Sequence, residues 1–249
     1  MELGLEGHVV LVTGAAGGIG RATAARLAAE GCRLVLLDRN PPDVGDLDPD
    51  RALAASVDVT DEAALTRTVE EAGHRFGGLD VVVGCAGISG PVGTVLDEVT
   101  PRQWHEVMDV NVTGSFLLLR AAAPLLRRSP APSVVLVASD SALVAAPGMA
   151  PYCASKAAVL QLVRAASVDL APIRVVAVCP SIVDTPMSRA DLGIDPGVAG
   201  GFDDLPYPVQ TTGEVAASIA FLCSPWARAV SGTALVSDFG YGARSGFPA

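Results

Sequence analysis

Two side chains in the stretch Tyr152-Cys153-Ala154-Ser155-Lys156 are spaced for proton transfer. On a helix a four-residue step brings both onto one face, a phenol one turn from an ammonium group. A free tyrosine has a pKa of about 10, and a fixed positive charge close by favours its phenolate. Each unit of depression corresponds to about 1.4 kcal/mol, so a few kcal/mol from the neighbours make the phenol a usable general base. The same spacing occurs at the edge of ordinary amphipathic helices, so the pair has to be read with the elements that would position it.

The first of these lies near the N-terminus. The apolar run His8-Val9-Val10-Leu11-Val12 meets Thr13-Gly14-Ala15-Ala16-Gly17-Gly18-Ile19-Gly20 and then the helix-forming Arg21-Ala22-Thr23-Ala24-Ala25-Arg26-Leu27, which reads as strand, glycine turn, helix. Glycines at 14, 18 and 20 allow a tight turn, close backbone approach to a pyrophosphate and close helix packing, with phosphates at the helix N-terminus. A second strand, Arg33-Leu34-Val35-Leu36-Leu37, ends in Asp38, about two dozen residues after Gly14. A carboxylate there accepts hydrogen bonds from ribose hydroxyls and repels the additional phosphate of NADP, which favours NAD over NADP. Arg39 reads equally as a phosphate contact, a cover for adenine or a side chain in solvent.

These features, with Asp58-Val59, Asn111 and Ser139, stand in the order and spacing of the short-chain dehydrogenase/reductase family, which the chain resembles from about Leu5 to Gly242. The resemblance implies that Tyr152 is the acid/base and that Ser139, thirteen residues before it, hydrogen-bonds the substrate oxygen. It implies that Lys156 both depresses the tyrosine pKa and binds the nicotinamide ribose. Asn111, in Asn111-Val112-Thr113-Gly114-Ser115-Phe116 on a long central helix, would hold a water linking Lys156 to solvent. The implied cofactor contacts are Gly14, Gly17, Gly18, Ile19 and Gly20 in the first turn, then Asp38, Asp58, Val59, Ala86, Gly87, Asn111, Tyr152 and Lys156. Pro180, Ile182 and Thr185, in Pro180-Ser181-Ile182-Val183-Asp184-Thr185, complete the set beside the nicotinamide.

Departures from the family pattern mark where this transfer weakens. The usual Asn-Asn-Ala-Gly is Gly84-Cys85-Ala86-Gly87, so the backbone path should persist with fewer side-chain cross-links. Ser181 replaces a glycine, and Val236-Ser237-Asp238-Phe239-Gly240 replaces the C-terminal Val-Asp-Gly-Gly. At Gly17, relatives preferring NADP often carry arginine, which agrees with Asp38 in pointing to NAD.

With 249 residues and 50% hydrophobic content, the chain can bury a large core, as a parallel sheet covered on both faces requires. Apolar runs near Val9, Leu34, Val57, Val81, Val134, Val175 and Leu235 alternate with helical patterns. The expected fold is α/β: a single-domain, doubly wound Rossmann fold over residues 1–249 with a seven-stranded parallel sheet and a substrate lid at about 186–211. The stretch from Pro41 to Asp50 reads as an exposed loop within that domain.

Five cysteines at 32, 85, 153, 179 and 223, without a Cys-x-x-Cys pair, suggest reduced thiols in a cytoplasm and support no metal site. Cys153 reads as a packing residue. No charged-then-apolar leader and no span long enough for a bilayer is evident, so no membrane partner is expected. A net charge of −10 argues against a nucleic-acid partner.

Substrate choice falls mainly to the lid. Asp191, Asp195, Asp203 and Asp204 against Arg189 offer little attraction for a polyanionic carrier. Leu143, Val144, Met149, Met187, Leu192, Phe202 and Tyr207 are pocket or core residues. A small secondary alcohol or a cyclic diol or ketone fits best, and the Ala138-Ser139-Asp140 run with a short lid also resembles dihydrodiol dehydrogenases. The alternatives are a 3-oxoacyl-thioester (acyl carrier protein) reductase and a non-catalytic dinucleotide-sensing protein, which would have no need of Ser139, Tyr152 and Lys156. The resemblance also implies a homotetramer, built on the helices beginning near Pro101 and Pro151 and on the C-terminal strand.

Overall fold

Runs of β-branched and leucine side chains set the strands. In the computed structural model, which describes residues 2–45, 47–195, 200–203, 205 and 207–243, Val9–Thr13 (β1) leads through Gly18–Ala29 (α1) to Arg33–Asp38 (β2) and Ala52–Ser56 (β3). Glu62–Phe76 (α2) precedes Val81–Gly84 (β4), and Pro101–Met108 (α3) with Gly114–Leu126 (α4) precedes Ser133–Val137 (β5). Ala150–Asp169 (α5) precedes Arg174–Pro180 (β6), and Pro186–Asp191 (α6) with Thr212–Cys223 (α7) precedes Ala234–Ser237 (β7). The sheet order is β3-β2-β1-β4-β5-β6-β7, with every neighbouring pair parallel. This is the doubly wound seven-stranded sheet expected from the apolar runs, its third strand ending just before Val57. Asp46 and Asp204, assigned above to the exposed loop and the lid, lie outside the described residues.

Successive strand side chains point to opposite faces, and here both faces are buried, which is why the strands read as continuous apolar runs. Leu11, Val35, Val82, Val134 and Val175 pack with Leu65 and Val69 of α2, Leu118 and Ala122 of α4, and Val159 and Val163 of α5. Val10, Val12, Leu34, Leu36, Val135 and Val176 pack with Ala24 and Leu27 of α1 and Val215 and Ile219 of α7. No described helix is long and apolar enough to cross a membrane.

The helices begin where local chemistry dictates. Asp61 caps α2, while Thr100 with Gln103, Thr185 with Ser188 and Thr211 with Glu214 form reciprocal capping pairs at α3, α6 and α7. Because β1 pairs with β2 on one side and β4 on the other, the connections after β1 and β4 diverge. Such a switch in strand order opens a crevice at the carboxyl ends of the strands.

Candidate active site

At the end of β1 the backbone enters Gly14 at φ +69, and a Cβ there would lie 2.8 Å from the Ala86 nitrogen. Gly20 is tighter still, since its Cβ would stand 2.1 Å from the Gly14 carbonyl oxygen. The turn is thus pressed against the chain leaving β4, and α1 against the turn. Gly17, the N-cap of α1, has nothing within 4 Å of the place a Cβ would occupy, so no side chain covers the helix end there. Helix N-terminal amides attract phosphates. A Cβ on Gly18 would lie 3.4 Å from Thr185 Cγ2, which brings the segment after β6 over the turn.

Asp38 closes β2 with its carboxylate accepting from the Ala16 amide at 3.1 Å and the Asn40 amide at 2.9 Å. At the next strand edge, Asp58 accepts from the Thr60 amide at 2.8 Å and the Thr60 hydroxyl at 2.7 Å. Those two bonds, the backbone one foremost, hold its carboxyl below the ordinary value. Val59 is buried beside Gly114, where a Cβ would meet Val59 Cγ2 at 2.7 Å. The glycine cradle, the uncovered helix end and the flanking carboxylate fit a dinucleotide.

After β4 the Cys85 amide donates to the Thr13 carbonyl at 3.2 Å and the Ala86 amide to Thr13 Oγ1 at 3.3 Å. Backbone and threonine therefore keep the expected path without the asparagine pair. Burial pushes the Cys85 thiol up to about 12, which leaves it an inert packing group. Ser181 is accommodated without a left-handed backbone; among the described residues Phe239 is the non-glycine residue at positive φ, 55°.

Between α3 and α4 the residues Asp109–Thr113 form a π-helical turn, where a continuous helix was expected. Such turns gather at functional sites because they re-aim one residue without ending the helix. Here that residue is Asn111, which is 1% exposed. Its Oδ1 accepts from the Ile88 amide at 2.9 Å, and its Nδ2 donates to the Ile88 carbonyl at 3.0 Å and to Ser155 Oγ at 2.9 Å. One Oδ1 lone pair remains for a further donor. A Cβ on Gly87 would lie 3.2 Å from Asn111 Oδ1 and 3.4 Å from Lys156 Nζ, so these three residues converge.

α5 delivers Tyr152 and Lys156, and the loop after β5 delivers Ser139. Ser139 Oγ donates to Asp140 Oδ1 at 3.0 Å and accepts from the Ser141 amide at 3.1 Å. Lys156 Nζ stands 5.5 Å from the Tyr152 ring centroid and donates to the Val137 carbonyl at 2.9 Å. Burial takes Lys156 down to about 8. The same burial pushes Tyr152 up to about 12; the Ser139 hydroxyl pulls it down, and the charges of Asp140 and Asp191 add to the rise. The depression of the phenol expected from the Tyr152/Lys156 spacing does not appear: desolvation is the largest cause acting on the tyrosine, and the ammonium, engaged with the Val137 carbonyl, is not among the causes of its shift.

Ser139, Tyr152 and Lys156 open into a cavity of about 490 Å³ that also meets Ile19, Gly87, Pro180, Ile182 and Thr185. Of the apolar residues proposed for a pocket, Val144, Met149, Met187, Leu192 and Tyr207 line it. Leu143 does not, being 54% exposed, and Phe202 instead lies under the Arg189 guanidinium, 5.1 Å from its ring centroid. Cys153 packs locally, its sulfur accepting from the Ala146 amide at 3.4 Å.

Tyr241 is among the lining residues that carried no sequence signal. Tyr241 meets Tyr207 edge-on with centroids 5.4 Å apart, held by a turn in which the Asp238 carboxylate accepts from the Gly240 and Gly242 amides at 2.9 and 2.6 Å. Asp140 was visible in the sequence as part of the Ala138-Ser139-Asp140 run, without a role of its own. Among the described residues no group of three or more His, Cys, Asp or Glu side chains converges as it would on a metal ion.

Comparison with known proteins agrees with this geometry. The family model described as enoyl-(acyl carrier protein) reductase matches residues 14–242. The chain is 36% identical over 245 residues to 2-(R)-hydroxypropyl-CoM dehydrogenase of Xanthobacter autotrophicus, covering 94% of this chain and 98% of the relative. The solved aldohexose dehydrogenase of Thermoplasma acidophilum superposes with a TM-score of 0.89 at 29% identity, covering 100% of this chain and 99% of that one. Carveol dehydrogenase of Mycobacterium avium, in complex with NAD, gives 0.82 at 30% identity, covering 93% and 96%. The seven-stranded parallel sheet with its covering helices is the architecture shared with these solved structures, and the chain belongs to the short-chain dehydrogenase/reductase family of oxidoreductases acting on CH–OH groups.

Proposed function

We propose that this enzyme interconverts a small, uncharged secondary alcohol and its ketone, with NAD(H) preferred over NADP(H). The observation that carries the reading is the convergence of Ser139, Tyr152 and Lys156 on one largely apolar cavity beside the glycine turn. Asp38 supports NAD, since its carboxylate already stands at the side of that turn. Residues suited to hold the dinucleotide are Gly14, Gly17, Gly18, Ile19 and Gly20 at the phosphates, Asp38, Asp58 and Val59 at the adenosine end, and Ala86, Gly87, Asn111, Tyr152, Lys156, Pro180, Ile182 and Thr185 toward the nicotinamide. The nicotinamide, when bound, supplies the hydride acceptor or donor.

The side chains of the chain supply the rest. In the oxidative direction Tyr152, as the phenolate, takes the hydroxyl proton as the carbon gives up its hydrogen as hydride and the carbonyl forms. Ser139 turns its hydroxyl from Asp140 to the substrate oxygen. Lys156, once charged and close, favours the phenolate, and Asn111 holds the path by which the proton leaves. Met187, Leu192 and Tyr207, described residues of the expected lid segment, close over the substrate.

The acyl carrier protein named in the family model's description, and a solved 3-ketoacyl-(acyl-carrier-protein) reductase at 32% identity, favour a second reading, reduction of a 3-oxoacyl thioester. Apart from Lys156 the described cavity lining carries no Lys or Arg to meet an anionic carrier arm, which supports the first reading. Exposed Phe116 and Val168 on α4 and α5, with Leu235 and Val236 on β7, support a homotetramer, and five free cysteines support a reducing cytoplasm. The test is NADH formation across a panel of uncharged secondary alcohols, run beside NADP. Turnover of one of them with NAD supports the proposal; exclusive reduction of acyl thioesters with NADPH overturns it.

A further inference from the structure

Among the residues lining the cavity are two carboxylates. Asp140 follows Ser139 in the chain and accepts its hydroxyl at 3.0 Å and that of Ser141 at 3.4 Å. Asp191, the last residue of α6, accepts the Ser89 hydroxyl at 2.8 Å. Both line the cavity that holds Tyr152. The charges of both also raise the Tyr152 pKa, which puts them within electrostatic reach of the reacting oxygen. Burial pushes the Asp191 carboxyl upward in turn, so its surroundings are poorly hydrated.

A carboxylate has room for about four donors and loses free energy when a ligand strips its water without replacing the hydrogen bonds. Ser89 meets one of these needs at Asp191. No described Lys or Arg side chain forms an ion pair with either carboxylate, so neither is a spent partner of a fixed cation. In this structure both accept from neutral hydroxyls with capacity to spare, and a second substrate hydroxyl would continue that pattern. Val92, Val144, Met149, Met187 and Leu192 supply the apolar contact for the carbon skeleton.

We infer that Asp191, with Asp140 beside the reacting oxygen, reads a second hydroxyl on the substrate, so that the cavity selects closely spaced diols and polyols over mono-alcohols and rejects anionic alcohols. This rests on the alcohol-oxidising reading and names its substrate class. Asp191 is then a specificity-determining residue: it orients the substrate and takes no part in the proton or hydride transfer. A site whose polar wall expects a hydroxyl discriminates strongly against an analogue lacking it, because the wall is left unpaired.

The test compares kcat/KM for a vicinal cyclohexanediol and for cyclohexanol with NAD, in the native enzyme and in Asp191→Ala and Asp191→Asn. The native enzyme favours the diol, and Asp191→Ala lowers the diol-to-cyclohexanol ratio about 10- to 100-fold, the worth of one hydrogen bond to a charged group. Asp191→Asn falls between, since its amide oxygen still accepts. An unchanged ratio overturns the inference, as does a native preference for cyclohexanol or for an aminocyclohexanol, which would make the carboxylates a cation site. If the native enzyme oxidises neither alcohol, binding to the enzyme–NADH complex by NADH fluorescence separates the two claims. Tighter diol binding that depends on Asp191 keeps the inference while the alcohol-oxidising reading falls, and equal binding of both alcohols overturns the inference.

Discussion

Lys156 is buried and 6% exposed, with one hydrogen bond, to the Val137 carbonyl. A cation in that place is destabilised by the loss of its water, and its lowered pKa shows the cost. The folded value of about 8 lies below the ordinary 10.5, so between those two values the unfolded chain binds the extra proton and stability rises with pH. Lys156→Met removes the charge from the folded state at similar volume. The variant is expected to lose activity yet be more stable than the native chain at pH 7 by about 1–3 kcal/mol, the gap closing as pH rises toward 10. Urea unfolding of both proteins at the two pH values checks this; a variant less stable at pH 7 would mean that the Val137 hydrogen bond outweighs the solvation cost. The Tyr152/Lys156 pair was legible because both residues carry chemistry in their type. The direction of the tyrosine shift was not, because it depends on how much water the fold removes.

The glycine turn makes a sharper contrast at the level of the element. Gly20→Ala places a methyl 2.1 Å from the Gly14 carbonyl, whereas Gly17→Ala meets nothing within 4 Å and has an extended backbone that any residue adopts. Gly20→Ala is therefore expected to abolish NADH binding and lower the unfolding midpoint, while Gly17→Ala, which meets no protein atom, leaves the midpoint close to native and weakens NADH binding only through the methyl it adds beside the phosphates. NADH fluorescence titration and thermal unfolding of the two variants decide the matter, and equal effects would contradict the packing described. The seven strands and the turn were readable because alternation, apolar runs and glycine spacing are local signals. The π-turn at Asp109–Thr113 was not, since one extra residue in a helix leaves the apolar periodicity on either side intact. Tyr241 was equally silent: only the fold brings the C-terminal turn against Tyr207.

On the scale of the whole molecule, the two cores place four thiols in apolar surroundings. Burial pushes Cys32 and Cys85 up to about 12 and Cys179 to about 11, and raises Cys223 as well. A thiol whose folded pKa is raised contributes stability that is intact below its ordinary value of 9.0 and is lost as pH climbs toward the folded one. Urea midpoints are expected to fall steeply above about pH 9, each thiol adding up to about 1.4 kcal/mol per pH unit; a midpoint level to pH 11 would contradict this burial. The same sheet that buries the thiols brings β1, β4, β5 and α5 to one edge, and catalysis depends on the groups that meet there. The most direct measurement is the rate of NADH formation by the native enzyme and by Tyr152→Phe on an alcohol the native enzyme oxidises, with NADH binding measured in parallel. Proton transfer through Tyr152 predicts a loss of about 10²- to 10⁴-fold in rate with binding preserved. A Tyr152→Phe enzyme that binds NADH and turns over at the native rate would contradict it.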